Sequence, residues 1–382
     1  MSDFSETSTQ GWFSRILSSI KGVVVGLVLV AAAFPFLWVN EGCAVRTAKG
    51  LAEGRGNVVL VASSPVNPAN EAKLVHLQGN TVTKSGAHDT ALGLNAPGAI
   101  RLQREVEMYQ WIERQESKKE KNVGGAEETK TSYSYSKGWA SSRNNSANFK
   151  LHVKDGESTD NPAMQYVGES FSAPDVSVGA YRLDSGLLSS ISGGTPMPIA
   201  ALPAGLAGRG HVAAGGVYVG ADPGHPRVGD LRIKWTKTDP CTVTIIARQH
   251  GAVLDAWPTS QGTTINMLEK GILTPDQMFV SAEKSNVIRT WACRFGGLMI
   301  MMIGFSMIFK PLVVVADVVP FIGSIIGMGT GFVAFVLAAP LSLFTIAVAW
   351  IRFRPMIGIP LFLLGVALAV GAFVMAKKRK KA

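Results

Sequence analysis

The side chains that most enzymes use are scattered in this sequence. Its six histidines include no HExxH pair, and neither a G-x-S-x-G elbow nor a P-loop occurs. Asp222, His225 and Asp230 are close enough along the chain to suggest metal ligands, but a loop of hydrogen-bonded polar side chains is the more ordinary explanation of that spacing. We therefore expect no enzymatic activity, no cofactor and no bound metal.

The three cysteines, Cys43, Cys241 and Cys293, do not form a metal-binding pattern. Cys43 follows the first apolar stretch and Cys293 precedes the second, so both are expected near the same membrane face. Two alternatives remain open for them, a disulfide bond or two free thiols, because spacing alone does not establish disulfide geometry.

Charged residues are rare in this chain and unevenly distributed. The chain is 47% apolar and only 17% charged, whereas soluble proteins average about 25% charged. Apolar stretches of about 20 residues are typical of membrane-spanning helices. We predict four such helices, at residues 23–39, about 293–310, 324–350 and 356–376.

These predicted spans divide the chain into distinct parts. Residues 1–22 are expected to form a cytoplasmic or interfacial amphipathic helix, because Trp12, Ile16 and Ile20 recur at helical spacing. Residues 40–292 are long enough to fold as a separate domain, and residues 293–376 form a C-terminal bundle. The predicted fold class is an integral membrane protein, with four transmembrane α-helices and a large β-rich α+β extracytoplasmic domain between helices 1 and 2.

The basic tail at residues 377–382 orients the chain in the membrane. Its charges obey the positive-inside rule when the tail is cytoplasmic, and four spans then place both termini there. The tail charges are Lys377, Lys378, Arg379, Lys380 and Lys381. Arg352 and Arg354 face outward in this arrangement, which the same rule disfavours.

The net charge of +10 is concentrated beside the membrane. Residues 295–382 carry eight basic residues against one acidic residue, Asp317. Such a distribution favours contact with the headgroups of the lipid bilayer. No basic patch with interleaved aromatics occurs in the middle domain, so no nucleic acid partner is expected.

Two ionisable residues lie in the C-terminal apolar region. Lys310 and Asp317 are seven positions apart and would share one face of a continuous helix. Ionisable residues within a membrane are functional candidates, which suggests a pore, although Lys310 can instead extend to the headgroups. Three conformations remain open for Leu312–Phe321: a loop, an interfacial segment or a re-entrant hairpin.

Gly323, Gly327 and Gly331 follow a small-xxx-small pattern on one face of the third predicted span. In a membrane this pattern permits close approach of helices. The approach is either packing within one chain or self-association into a homo-oligomer.

Within the middle domain a long β-hairpin gives the clearest pattern. Residues 104–116 and 129–139 alternate in polarity on either side of a turn containing Gly124-Gly125. Shorter strands are predicted near Leu74, Gly216, Asp230 and Cys241, and a helix near Asp184. Thr274-Pro275-Asp276 predicts the start of a helix that continues into the second span.

Several short motifs resemble the LUMA family, transmembrane protein 43. They occur in the family's order from about residue 40 to the tail, and the run from Glu105 to Trp111 (EVEMYQW) is the most specific. The others are Asn40-Glu41-Gly42, Leu51-Ala52-Glu53-Gly54, Leu74-Val75-His76, Tyr133-Ser134-Tyr135 with Trp139, Val228-Gly229-Asp230-Leu231-Arg232, Val243–Gln249 and Arg354-Pro355.

The resemblance implies four spans, cytoplasmic termini and a large lumenal or periplasmic domain. It also implies a scaffold that self-associates and organises membrane or envelope protein partners; a channel-like pore is the alternative. The glycine-rich third span and the Gly/Ala/Pro-rich residues 193–216 differ from the animal pattern. We therefore expect a bacterial relative in the inner membrane with a periplasmic domain, or the endoplasmic reticulum and inner nuclear membrane if the source is eukaryotic.

Overall fold

The structure is a computed structural model that describes residues 3–213, 215–360 and 363, with the backbone alone for residues 320–325. Most of the predicted last span (356–376) and the whole basic tail (377–382) lie outside the described residues.

Three long helices form the membrane bundle. They are α1 (Trp12–Asn57), α3 (Pro275–Ala316) and α4 (Pro320–Phe353), and a short helix, α2 (Ser185–Ser190), belongs to the domain. Each long helix contains a segment that is long and apolar enough to cross a membrane. These segments correspond to the first three predicted spans.

The long helices differ from the predicted spans at their ends. Residues Phe4–Gln10 of the predicted amphipathic helix form a strand, and α1 continues past residue 39 to Asn57. The third helix also passes Pro311, where the predicted span ended. Proline removes only one backbone donor, and membrane helices tolerate that loss when neighbouring groups compensate.

The stretch Leu312–Phe321 consists of the end of one helix, a short connection and the start of the next helix. Residues 312–316 are the last turn of α3, and residues 317–319 make a tight connection to α4. Thr274 caps α3 as predicted: its side chain accepts from the Gln277 N–H, and the Gln277 side chain accepts from the Thr274 N–H.

The domain contains one strand from the N-terminal segment and twenty strands from residues 59–270. They are β1 (Phe4–Gln10), β2 (Val59–Leu60), β3 (Leu74–Val82), β4 (Ala87–Asp89), β5 (Leu94–Ala96), β6 (Arg101–Lys121), β7 (Glu127–Ala140), β8 (Val153–Lys154), β9 (Glu157–Ser158), β10 (Glu169–Ser172), β11 (Ser177–Val178), β12 (Tyr181–Leu183), β13 (Thr195–Met197), β14 (Gly210–Ala213), β15 (Gly216–Val219), β16 (Leu231–Thr238), β17 (Thr242–His250), β18 (Val253–Asp255), β19 (Trp257–Pro258), β20 (Thr264–Ile265) and β21 (Met267–Lys270).

Two large sheets organise these strands. The first has the order β1-β7-β6-β16-β15-β14, with β10 and β13 paired to β6 and β16. The second has the order β2-β3-β11-β12-β18-β17-β21, and the pairing of β3 with β17 closes part of it into a ring. Apolar side chains such as Leu77, Val178, Tyr181 and Ile245 form a core cluster within this second sheet.

The ends of α1 and α3 pack against the second sheet. Leu51 of α1 and Phe279 of α3 belong to one buried cluster with Leu74, Ile246 and Ile265. The domain is therefore attached to two membrane helices by an apolar core rather than by a linker.

The predicted hairpin is confirmed and is longer than expected. The β6 and β7 strands pair from Met108↔Ala140 to Lys121↔Glu127. The neighbouring strand β16 accompanies β6 only as far as Met108. About 13 further residues of β6 extend beyond that point, or about 43 Å at 3.3 Å per residue. The N-terminal strand β1 joins this extension by pairing with β7, from Phe4↔Tyr133 to Gln10↔Glu127.

Candidate functional site

Two clusters of charged residues lie at opposite ends of the bundle. The domain-side cluster comprises Glu41, Arg294 and Trp350, and the tip cluster comprises Arg15, Lys121, Glu127 and Asp317. Arg15 and Glu41 are 26 residues apart on α1, which corresponds to about 39 Å along a helix.

Glu41 is the centre of the domain-side cluster, and its side chain is fully buried. Arg294 donates from Nε to Oε1 at 2.7 Å and from a terminal nitrogen to Oε2 at 2.8 Å. Trp350 Nε1 donates to Oε2 at 2.8 Å, and the guanidinium lies over the rings of Trp291 and Trp350. This bidentate geometry neutralises a carboxylate that burial would otherwise disfavour.

Asp317 is the centre of the tip cluster, and its side chain is also fully buried. Arg15 donates to Asp317 Oδ2 at 2.5 Å, and Lys121 Nζ donates to Oδ1 at 2.7 Å. Glu127 lies 3.4 Å from the same Arg15 nitrogen. The four side chains come from α1, β6, β7 and the connection after α3, so the cluster joins parts of the chain that are far apart in sequence.

The turn of the hairpin makes further contacts with the bundle. Arg15 donates to the Gly125 carbonyl, and the Gly124 N–H donates to the Val318 carbonyl at 3.0 Å. Gly125 has φ +79°, and a Cβ there would lie 2.4 Å from Trp12 Cδ1. A side chain at this position would clash with the indole, so the close docking of the turn requires glycine.

The charges of the tip cluster also act on Glu127. Burial raises the pKa of this carboxyl, but the hydrogen bond from Lys119 and the positive charges of Arg15 and Lys121 lower it more. The pKa of Glu127 therefore lies below its ordinary value, and the carboxylate is charged near neutral pH.

The structure separates the two ionisable residues that the sequence suggested as a pair. Asp317 is buried in the tip cluster, whereas Lys310 is exposed on α3. The partners of Asp317 were not predicted. One signal was available, because Arg15 shares a helix face with the small residues Ser19 and Gly26, and a cation on such a face is directed towards a neighbouring helix.

The predicted glycine face has open surroundings where the structure describes it. A Cβ at Gly327 would lie 3.5 Å from Val313, an ordinary contact, and a Cβ at Gly331 would meet no atom within 4 Å. The surroundings of Gly323 are not described. The close approach of helices occurs instead at Gly26 and Gly304, where each Cβ would lie 2.6 Å and 2.8 Å from the other residue's carbonyl oxygen.

Replacing Gly304 with alanine is expected to destabilise the bundle by about 1–3 kcal/mol, because the added methyl must push α1 and α3 apart. Gly296, on the same helix, provides the control: a Cβ there would meet no atom within 4 Å. Unfolding of both variants in detergent measures the difference. Equal stability of Gly304→Ala and Gly296→Ala would contradict the helix crossing described here.

Cys43 and Cys293 do not form the disulfide that the sequence allowed. Both are free thiols in the structure, as is Cys241. The bonded alternative is therefore not seen in this structure, and the oxidation state of the pair stays a prediction.

Apolar and aromatic residues occupy the positions expected of a membrane bundle. Between the two clusters the interior contains Ala33, Leu37, Met301 and Ala338. Tryptophans lie at both ends, Trp12 beside the tip cluster and Trp291 and Trp350 in the domain-side cluster. The separation of about 39 Å agrees with a bilayer of about 40–45 Å including headgroups. We infer that the clusters lie at its two faces.

Comparisons with known proteins agree with this architecture. The family model described as Transmembrane protein 43 matches residues 108–355. Transmembrane protein 43 of Rattus norvegicus is 34% identical over 362 residues, covering 91% of this chain and 88% of the relative. The Homo sapiens protein is 33% identical over 368 residues, with 92% and 89% covered.

A more distant relative aligns over almost the whole length. The Transmembrane protein 43 homolog of Drosophila melanogaster is 26% identical over 382 residues, covering 96% of this chain and 95% of the relative. No solved structure matches the chain significantly. The family model matches more than half of the residues, and the mammalian relatives align over about nine tenths of the chain. This chain therefore belongs to the transmembrane protein 43 family.

Proposed function

We propose that this protein is a non-enzymatic membrane scaffold that self-associates and organises other membrane or envelope proteins through its β-rich domain. The observation that carries the proposal is the rigid attachment of the domain to the bundle. Helices α1 and α3 run without interruption from the membrane segments into the domain core. The tip cluster adds a second attachment at the other end of the bundle.

Rigid attachment is the mechanical property that a scaffold needs. A domain on a flexible linker samples many orientations, and partners that bind to it are not positioned relative to the membrane. Here Leu51, Met278 and Phe279 of the helices are buried against Leu74 and Ile246 of the sheet. The orientation of the domain is thus linked to the orientation of the bundle.

The residues that suggested metal chemistry do not converge. Asp222 and His225 form an exposed pair. Asp230 instead accepts hydrogen bonds from the Tyr218 hydroxyl and the Arg227 N–H. The proposal of a non-enzymatic role rests on this dispersion together with the scattered histidines of the sequence.

Within the residues that the structure describes, the polar side chains that suggested a channel do not form a path through a single copy. Asp317 is engaged by Arg15 and Lys121. Between the clusters lies an apolar core, and the buried hydroxyls of Ser342 and Thr345 donate to carbonyls of their own helix. The polar residues that suggested a pore therefore do not line a common route.

For the location of the protein, the finding is that it contains membrane helices and has eukaryotic relatives. Those relatives fit the alternative of a eukaryotic membrane with a lumenal domain. The bacterial inner membrane with a periplasmic domain remains our proposal, and it rests on the glycine-rich features of the sequence.

Self-association is tested by the mass of the purified protein in mild detergent. We expect a defined oligomer, and we expect Gly331→Leu to weaken it, because this exposed glycine belongs to the small-xxx-small face. Gly329→Leu is the matched control: the same change is made on the same helix, where a Cβ also meets no atom within 4 Å.

The outcomes separate the two parts of the proposal. A wild-type monomer with no cross-linked partner would contradict the scaffold. An oligomer that both leucine variants preserve would contradict only the role of the glycine face.

A further inference from the structure

The extension of the hairpin is a narrow three-stranded ribbon, and its outer strands have no further strand partner among the described residues. We define the ribbon as β1, β7 and residues 109–121 of β6. Strand β1 is the outermost strand of its sheet. On the opposite side, β16 stops at Met108, a loop bonds to β6 as far as Trp111, and the free edge of β6 begins after that residue.

The free edge of β6 can be located by its hydrogen bonds. The Tyr109 N–H donates to the Asp230 carbonyl, and the Tyr109 carbonyl accepts from the Gly229 N–H. The backbone N–H and carbonyl of Trp111 both bond to the side-chain amide of Asn161. Since hydrogen-bonding direction alternates along a strand, Glu113, Gln115, Ser117 and Lys119 direct their backbone groups to the same side. Among the described residues, no protein group pairs with the backbone there.

The ribbon lies alongside the membrane part of the bundle. Its base belongs to the domain, and its turn is fixed to Arg15 and Asp317 at the opposite end. The ribbon is about 43 Å long, and the bundle between its two clusters is about 39 Å long. With the two clusters inferred to lie at the faces of the bilayer, the ribbon runs through the depth of the bilayer.

The ribbon is unsuited to contact with lipid. Residues Arg114–Glu120 of β6 are exposed, and five of those seven side chains are charged. Unpaired backbone groups and charged side chains are each costly in hydrocarbon, and no open sheet edge is found facing lipid in membrane proteins. Protein or water must surround the ribbon.

We propose, resting on the self-association proposed above, that a second copy of this chain covers the ribbon. Strand β1 of one copy pairs with the free edge of β6 (residues 113–121) of the next copy. The contact joins two different surfaces, and the inference includes that the rotation between copies closes, which gives a ring rather than an open filament. The helices face lipid on the outside of this ring, and the ribbons enclose a polar space inside it.

The register of the ribbon supports this pairing. Ser8 of β1 and Lys119 of β6 both pair with Thr129 of β7, so they lie at the same height along the ribbon. Gln10 and Lys121 are related in the same way through Glu127. A rotation about an axis parallel to the strands thus brings β1 of one copy level with the free edge of β6 in the next. Both strands are antiparallel to β7, so the new pair is parallel.

Cysteine cross-linking in membranes tests the pairing. The variant carries Ser8→Cys and Lys119→Cys in a full-length chain whose three native cysteines are replaced by serine. Within one copy β7 lies between these two positions, so their Cα atoms are about 9–10 Å apart. This separation exceeds the Cα–Cα distance of a disulfide bond. Mild oxidation is expected to give a ladder of covalent multimers.

Two control pairs make the result decisive. Ser8→Cys with Gln103→Cys is expected to give no ladder, because β16 covers β6 at Gln103. Gly124→Cys with Val318→Cys is expected to cross-link within one copy, because the Gly124 N–H donates to the Val318 carbonyl at 3.0 Å and the two backbones are therefore in contact. This pair keeps the four charges of the tip cluster, so it reports whether the turn stays docked in the membrane.

The outcomes distinguish this inference from the proposed function. A ladder from the Ser8/Lys119 pair alone supports ring closure through the ribbon. An oligomer by mass without that ladder overturns the ribbon interface and leaves the scaffold intact, whereas a monomer by mass overturns both. Failure of the Gly124/Val318 pair to cross-link also overturns the inference, because the ribbon would then lie elsewhere.

Discussion

Replacing Arg294 with methionine is expected to destabilise the bundle by about 3–5 kcal/mol, the usual cost of leaving a buried charge without its partner. The Glu41 carboxylate is fully buried and receives both of its charged hydrogen bonds from Arg294. Trp350 would remain as the only described donor to this carboxylate. One neutral hydrogen bond does not compensate for the lost guanidinium.

The free energy of unfolding in detergent measures this effect, and two further variants define its cause. Arg352→Met removes an exposed arginine near the end of α4 and is expected to change stability by no more than about 0.5 kcal/mol. The double variant Glu41→Leu/Arg294→Met removes both charges and is expected to recover most of the loss, since apolar replacements of buried ion pairs are often neutral. A similar loss in Arg294→Met and Arg352→Met would show that the buried pair does not stabilise the bundle.

The elements that could be predicted from the sequence are those with a local pattern. The apolar stretches identified three helices, and alternating polarity identified the hairpin from residues 104–116 and 129–139. The capping residues at Thr274 located the start of α3. In each case neighbouring residues carry the signal, and tertiary contacts only adjust the ends of the element.

Elements that depend on distant partners could not be predicted in the same way. The segment Phe4–Gln10 (FSETSTQ) has no apolar face of its own, and it is extended because the edge of β7 accepts it. Arg15 and Asp317 are 302 residues apart in sequence. Neither contact has a motif that names its partner, since the small residues on the helix face of Arg15 indicate a neighbouring helix without identifying it.

The glycines show the same limit. A small-xxx-small pattern at Gly323, Gly327 and Gly331 suggests a helix contact, but the close contact uses Gly26 and Gly304, which lie on different helices. The point at which α1 and α3 cross decides which glycines are needed. That point depends on the packing of the whole bundle rather than on the composition of one helix.

Replacing Asp317 with asparagine is expected to release the turn of the hairpin from the bundle. The change keeps the shape of the side chain but removes the charge that pairs with both Arg15 and Lys121. Arg15 is 6% exposed, and it would retain Glu127 as its only acidic neighbour, at 3.4 Å. Breaking a buried pair in this way costs roughly 3–5 kcal/mol.

Hydrogen exchange of the membrane-embedded protein measures the release. Protection is expected to fall in β1 and in residues 117–131, whose attachment to the bundle depends on the tip cluster, whereas strands β3 and β17 in the domain core should keep theirs. Lys310→Gln is the control, because this exposed lysine lies on the same helix outside the cluster. Unchanged protection of the ribbon in Asp317→Asn would mean that its position is fixed by its connection to the domain, and that the four charges at the far end of the bundle do not hold it. A loss confined to the ribbon would instead show that a single buried carboxylate determines whether the domain is attached to the bundle at one end or at both.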